Sequence, residues 1–441
     1  MPRSSRFLAG LLVLVIALAA APIASAQVMG LYYKEVEKDG RVYVFNTPER
    51  FKSWSESGEL GTAITMTGIG ANGETVVAEN ETALDLYLFR HNLEGYDRPT
   101  PKPATPGFTV GWKDGKTTIE SKQARLDISN RLQLRFTQEM AETGDDVGSF
   151  RIRRGKTKFE GWVYNKSLTY ELQLNWPDTS NPLEDASINY DFTQGKKAFQ
   201  LKAGQFKVPF GRQELTSSGS QQFVDRSLVS NRFARGRDIG VQLWGAPLAG
   251  KLDWRVGVFN GNGRTVSRND NDEYQYNARL TFQPFGDVKY SEGDFESSDR
   301  PLFAIAGQYE SNDRQGATTG NDADKEIVGG DVAFKYKGLF AFAEYFAGTN
   351  DPETGGDVDD EGWNAQLGYF VIPQKFEIAG RYAVLDRNAD RDDDEQEERG
   401  VALGYFFNKH PHKLQLDYRQ LENKATNVTD DEVRLQYQIV F

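Results

Sequence analysis

From residue 123 to the C-terminus, nearly every segment of this chain alternates between apolar and polar side chains with a period of two. Leu126, Ile128, Leu132, Leu134 and Phe136 fall on one face, and Arg125, Asp127, Ser129, Arg131, Gln133 and Arg135 fall on the other. Leu168, Tyr170, Leu172, Leu174 and Trp176 oppose Ser167, Thr169, Glu171, Gln173 and Asn175. The last stretch sets Val433, Leu435, Tyr437, Ile439 and Phe441 against Glu432, Arg434, Gln436 and Gln438. Successive side chains of a strand point to opposite faces, so the pattern demands β-structure with one apolar and one polar face. A soluble β-sandwich also alternates, and other features must decide what the apolar face meets.

Three of them favour lipid. The segments run to about ten residues, the length of a tilted bilayer span. Aromatic residues gather at segment ends (Tyr164, Trp176, Trp244, Tyr276, Trp363, Tyr405), as interfacial girdles do. Tight connections (Asn165-Lys166, Gly195-Lys196, residues 246–250, Gly338, Pro373-Gln374) alternate with long ones at 211–236, 261–272, 311–324, 349–361, 385–398 and 420–430. Composition agrees: 19 Tyr, 28 Phe and 7 Trp sit in a chain whose mean hydropathy is only −0.60, because the two faces cancel in any average. There is no Cys, so disulfides do not hold the fold, and a net charge of −12 argues against nucleic acid as a partner. Counting segments predicts an all-β, sixteen-stranded antiparallel transmembrane barrel from about Gln123 to Phe441. Even parity puts both barrel ends on one side. The acidic insert at 287–300 is the one long connection on the short-turn side.

The N-terminus reads differently. Arg3 and Arg6, the apolar run Phe7 to Ala21 and the small-x-small site Ala24-Ser25-Ala26 make residues 1–26 a signal peptide, with Gln27 as the first mature residue. Residues 27–98 read as a small α/β module on the periplasmic side. It has a hairpin turning at Lys38-Asp39-Gly40, a helix opened by Thr47 and Pro48, and a second helix from Glu79 to His91. Residues 99–107 form a Pro-rich, extended linker, and a lead-in hairpin over 108–122 precedes the barrel.

The stretch from Phe150 to Gly245 resembles the phosphate-selective porin O and P family. The resemblance is carried by Phe150-Arg-Ile-Arg-Arg154 with Phe159-Glu-Gly161, by Leu183-Glu-Asp-Ala186 and by Gly204-Gln-Phe-Lys-Val-Pro-Phe-Gly211. It continues through Glu214-Leu-Thr-Ser-Ser218, Arg226-Ser-Leu228 and Gly236-Arg-Asp-Ile-Gly-Val-Gln242, and more weakly from Gly257 to the last strand. It implies a trimeric barrel of the bacterial outer membrane whose third outer loop folds into the lumen and narrows it. Outer-membrane lipid and lipopolysaccharide, and small anionic or neutral solutes, are then the expected partners. Terminal Phe441 matches the signal read by the barrel-insertion machinery. The 27–98 module is not part of the family pattern.

Anions are the solute class this implies, and the polar faces supply cations: Arg125, Arg131, Arg135, Arg151, Arg153, Lys156, Lys158 and Lys202. The constriction loop at 211–236 and its flank add Arg212, Arg226, Arg232, Arg235 and Arg237 against Glu214, Asp225 and Asp238. Rows of guanidinium groups attract phosphate or carboxylate by charge and by forked hydrogen bonds. The competing reading is mixed lumen charge, with Asp127, Glu160, Glu171, Asp185 and Asp191 pairing with these cations across strands. The loop also carries Leu215, Phe223, Leu228, Val229 and Phe233, which are expected to pack on the barrel wall.

Other motifs carry less. The acidic run Asp390 to Glu398 reads as a solvated outer loop without calcium-loop spacing, and His410-Pro411-His412 as a surface turn. Gly257 to Gly263 lacks the Lys-Ser/Thr of a phosphate loop. Only three His exist, none near a Ser and a carboxylate, so no enzyme, cofactor or metal is expected. The expected function is passive diffusion of small hydrophilic solutes with a phosphate-like anion preference. The alternatives are a carbohydrate or cation-tolerant general porin, or a structural tether between the outer membrane and a periplasmic partner.

Overall fold

Asp39 and Gly40, at φ 53° and 69°, turn the chain between β1 (Lys34–Lys38) and β2 (Arg41–Phe45). Positive φ at both central residues matches the twist of the flanking strands. The computed structural model describes residues 32–95, 107–234, 236–264, 266, 268–314, 323–352 and 356–441. The expected signal peptide at 1–26, residues 99–106 of the expected linker and Arg235 lie outside them. The chain divides into two compact units, residues 1–105 and 106–441.

In the first unit, α1 (Pro48–Ser57) and α2 (Glu81–Arg90) accompany β1, β2, β3 (Ile64–Met66) and β4 (Thr75–Ala78), in sheet order β1-β2-β4-β3. Thr47 precedes α1, but its hydroxyl donates to Glu79 at 3.0 Å instead of capping the helix. Glu79 also accepts the Asn46 amide at 2.7 Å, so the second helix starts later than its periodicity predicts, with Asn80 accepting the Ala83 amide at 2.9 Å. Val44, Val76, Ala78, Leu84 and Tyr87 form the core.

The second unit opens with a hairpin, β5 (Phe108–Lys113) and β6 (Lys116–Ser121), followed by sixteen strands that close as an antiparallel barrel, β7 (Ala124–Met140) to β22 (Val428–Val440). β22 pairs Asp431–Val440 against Met140–Arg131, and β6 pairs on to the remainder of β7, Lys116 against Ser129 and Glu120 against Arg125. Between the two, Asn130 and Phe441 exchange amide–carbonyl bonds of 2.7 and 2.9 Å, so the terminal residue completes the closure. β7 and β8 (Val147–Val163) are 17 residues each, longer than the alternation predicts. Likewise β21 (His412–Asn423) and β22 extend until only residues 424–427 connect them.

The barrel is apolar outside and polar inside. Leu134, Ile152, Val241, Leu280, Leu367 and Val401 are exposed, whereas Gln133, Arg135, Gln242, Gln366, Arg381 and Arg434 are buried. Such an exterior suits hydrocarbon, and the polar interior needs water or internal partners.

Candidate functional site

The fifth barrel strand, β11 (Gln200–Lys207), is followed by residues 208–236 before β12 (Arg237–Gly245) begins. Gly211, at φ 74°, turns this segment inward, and two short helices follow, α3 (Arg212–Leu215) and α4 (Leu228–Phe233). Ser227 caps α4 by accepting the Ser230 amide at 3.1 Å. Phe223, Val229 and Phe233 are buried, and Phe233 stacks on Phe346 of the wall with ring centroids 5.2 Å apart. Each large apolar side chain so buried stabilises the insertion by about 1.5–3 kcal/mol. The loop backbone also bonds to the wall: the amides of Gln213, Val224 and Leu228 donate to Glu344, Asp417 and Glu398 at 3.2, 3.0 and 2.8 Å. Backbone groups inside the lumen thus find partners, as burial requires.

A second element meets this loop from the opposite end. Residues 283–301 join β14 (Gln275–Phe282) to β15 (Leu302–Asn312) and fold into the lumen instead of making a tight turn. Glu292 donates its amide to the Ser220 carbonyl at 2.9 Å and accepts the Gln222 amide at 2.6 Å. Arg212 donates to the Val288 carbonyl at 2.6 Å. Phe295 packs against Phe370, Phe406 and His410. Loop and insert together occupy the lumen beside β15 to β22.

A cavity stays open beside β7 to β13. This cavity, about 540 Å³, is lined by eleven cations (Arg131, Arg153, Arg154, Lys156, Lys158, Lys202, Lys207, Arg226, Arg237, Arg255, Arg264) and five carboxylates (Glu171, Asp178, Glu184, Asp185, Glu214). An adjoining cavity of about 500 Å³ shares Glu171 and Lys202 and adds Glu120, Arg125, Asp127, Glu160 and Lys166. The lining charge is strongly positive in the first cavity and mixed in the second.

Of the cations singled out in the sequence, Arg131, Arg153, Lys156, Lys158, Lys202, Arg226 and Arg237 meet in the first cavity and Arg125 lines the second. Four others are placed elsewhere. Arg135 is fully buried against Asp225 and Gln436, Arg151 is exposed, and Arg212 is buried against the carbonyls of Val288 and Lys289. Arg232 faces a separate cavity and pairs with Asp360. Four further cations line the cavity without being singled out by the sequence: Arg154, Lys207, Arg255 and Arg264. The signal for Arg154 is a change of parity. Gln133 pairs with Arg154 but Leu134 with Ile152, so Arg153 is a bulge residue and two adjacent arginines both reach the lumen. Arg255 lies on the polar face of an alternating segment and was legible there.

Most of these cations have partners: Lys156 with Glu184, Lys158 with Glu171 at 3.1 Å, Arg237 with Asp185 at 2.8 Å and Arg226 with Glu214 at 2.9 Å. Asp191 differs from expectation, for it accepts the amides of Thr193 and Gly195, both at 2.8 Å, and ties a turn. Among the described residues, Arg131 and Lys202 are the cavity cations with no carboxylate at ion-pair distance. Arg131 donates to the hydroxyls of Ser217 and Ser218 at 3.0 and 3.1 Å, and Lys202 lies 4.6 Å over the Phe206 ring. Two further expectations are corrected. His410 is not on the surface: it is 8% exposed, its Nε2 donates to the Glu292 carbonyl at 2.9 Å, and its Nδ1 accepts from Lys413 at 3.2 Å. The acidic run ends inside a strand, with Glu398 buried and paired with Arg381 at 3.0 Å.

Residues 128–441 match the family model described as phosphate-selective porin O and P. The chain belongs to this porin family. It is 24% identical to an uncharacterized protein of Aquifex aeolicus, over 73% of this chain and 89% of that one. The barrel of this porin has the fold of the anion-selective porin from Comamonas acidovorans, with TM-score 0.52 and 11% identity over 72% of this chain and all of that one. It also has the fold of the outer membrane channel DcaP of Acinetobacter baumannii, with TM-score 0.51 and 13% identity over 73% of this chain and 99% of that one. This porin is an outer-membrane channel, and its family and fold point away from an enzyme.

Proposed function

We propose that the protein passes small hydrophilic anions, phosphate-like ions among them, by passive diffusion along the cavity beside β7 to β13. The observation that carries this reading is eleven lining cations against five lining carboxylates, with no carboxylate at ion-pair distance from Arg131 or Lys202 among the described residues. In a narrow passage with low-dielectric walls, such charges raise the local concentration of counter-ions and are screened less than surface charges. The description of the family, and the anion selectivity named for the Comamonas acidovorans porin, agree with it. On the same reading the barrel assembles as a homotrimer in lipopolysaccharide-containing membrane, Phe441 serves its insertion, and the 27–98 module lies in the periplasm. The test is the reversal potential of single channels under a KCl gradient. An anion-selective value is expected, growing as salt falls. A cation-selective value at low salt would overturn the reading.

A further inference from the structure

Asp225 lies behind the cationic cavity and does not line it. Its carboxylate is within ion-pair distance of four arginines from three strands. Arg135 bonds to it directly, and Arg153, Arg154 and Arg434 approach to 3.4, 3.5 and 3.8 Å. A fifth, Arg381, donates from both terminal nitrogens to the Asp225 carbonyl at 3.1 Å. Burial acts to raise the pKa of this carboxyl, but Arg135, Arg154 and Arg153 more than offset it and keep it well below the usual range. The four side-chain partners are not equally dependent on it. Arg434 has Asp417 at 2.7 Å and Glu432 at 3.4 Å, and Arg135 has Gln436 and the Val224 carbonyl at 2.9 Å. Arg153 and Arg154 have no other carboxylate at ion-pair distance among the described residues, and both line the cavity.

We propose that Asp225 is a specificity-determining residue of the channel: it is the counter-charge that holds Arg153 and Arg154 at the edge of the passage, and so limits how strongly the passage favours anions. The proposal rests on this cavity being the passage. A single loop carboxylate balancing guanidinium groups on the wall couples the position of the loop to the charge seen by a solute. Too little balance would make anions bind where they must also leave, since conduction needs sites weak enough to release. The Arg381 bonds run to the main chain, so they persist when the side chain is changed to an uncharged isostere.

The experiment is Asp225→Asn, studied as the full-length chain in planar bilayers beside the wild type. The reversal potential is expected to shift further to the anion side, and the shift to grow as salt is lowered. Combining D225N with R153Q restores the local charge and is expected to return the reversal potential to the wild-type value. An unchanged potential in D225N, or a shift to the cation side with raised conductance from a loosened loop, would overturn the proposal. So would a shift that R153Q does not reverse. Folding is checked independently by the SDS-resistant, heat-modifiable band of a closed barrel, and if D225N does not fold, D225E with R153Q must shift the potential to the cation side. The wild-type potential tests the anion reading by itself, whereas the shift between variants tests Asp225 whichever ion the wild type prefers.

Discussion

Arg131 and Gly219 occupy complementary space: a Cβ built on Gly219 would fall well inside van der Waals contact with the Arg131 guanidinium. The loop segment Ser217-Ser218-Gly219 thus cups one cation of the wall, with hydroxyls on one side and absent side-chain bulk on the other. Gly219→Ala changes no charge but pushes the flexible end of Arg131 from its place. The expected outcome is a weakened anion preference in single-channel reversal potentials, in the direction Arg131→Gln also produces. Equal potentials for G219A and wild type would mean that the position of Arg131 is unimportant for selectivity.

Acid should weaken the barrel through His410. Burial pushes its pKa well below the ordinary value, helped by Lys413 and Lys335, while the bond to the Glu292 carbonyl acts the other way. The unfolded residue titrates near 6.5. Between that value and the lower folded one, the unfolded chain binds the extra proton, so stability falls as pH drops below about 6.5. Carboxylates held low, such as Asp225, contribute losses only at more acid pH. The midpoint of thermal unfolding in detergent should therefore move less favourably from pH 7 to pH 5 in wild type than in His410→Gln. A slope identical in wild type and H410Q would assign the acid sensitivity to other groups.

The insert between β14 and β15 is anchored by Phe295, which is buried against Phe370, Phe406 and His410. Phe295→Ala should cost about 3–5 kcal/mol of local packing. Because the insert also holds the loop through Ser220 and Gln222, single-channel conductance should rise and become noisier. If conductance stays at the wild-type level, the insert does not restrict the lumen.

The sequence from Pro99 to Pro106 reads as an extended linker, and this predicts a site of cleavage. Limited digestion should cut between residues 96 and 106 and leave a folded, conducting barrel from residue 107 onward. Resistance of this stretch under conditions that cleave a denatured control would argue for a fixed module and against a tethered one.

Period-two alternation, a local property of the backbone, determined by itself the face that each residue of β7, β9 and β22 presents, and together with segment length and alternating connections it made the barrel legible. Local chemistry likewise made the Asp39-Gly40 turn and the long loop after the fifth strand legible. Only the tertiary structure decided which inward cations meet water. Arg135 shares its charge and parity with Arg131, and Arg212 shares its charge, yet they are spent on Asp225 and on the carbonyls of residues 288 and 289. The parity change at Arg153 depends on a bulge set by the pairing of two strands, and the inward fold of residues 283–301 depends on partners more than fifty residues away, such as Ser220 and His410. Strand periodicity is written in neighbouring residues, whereas charge compensation is a sum over groups that meet only once the barrel has closed.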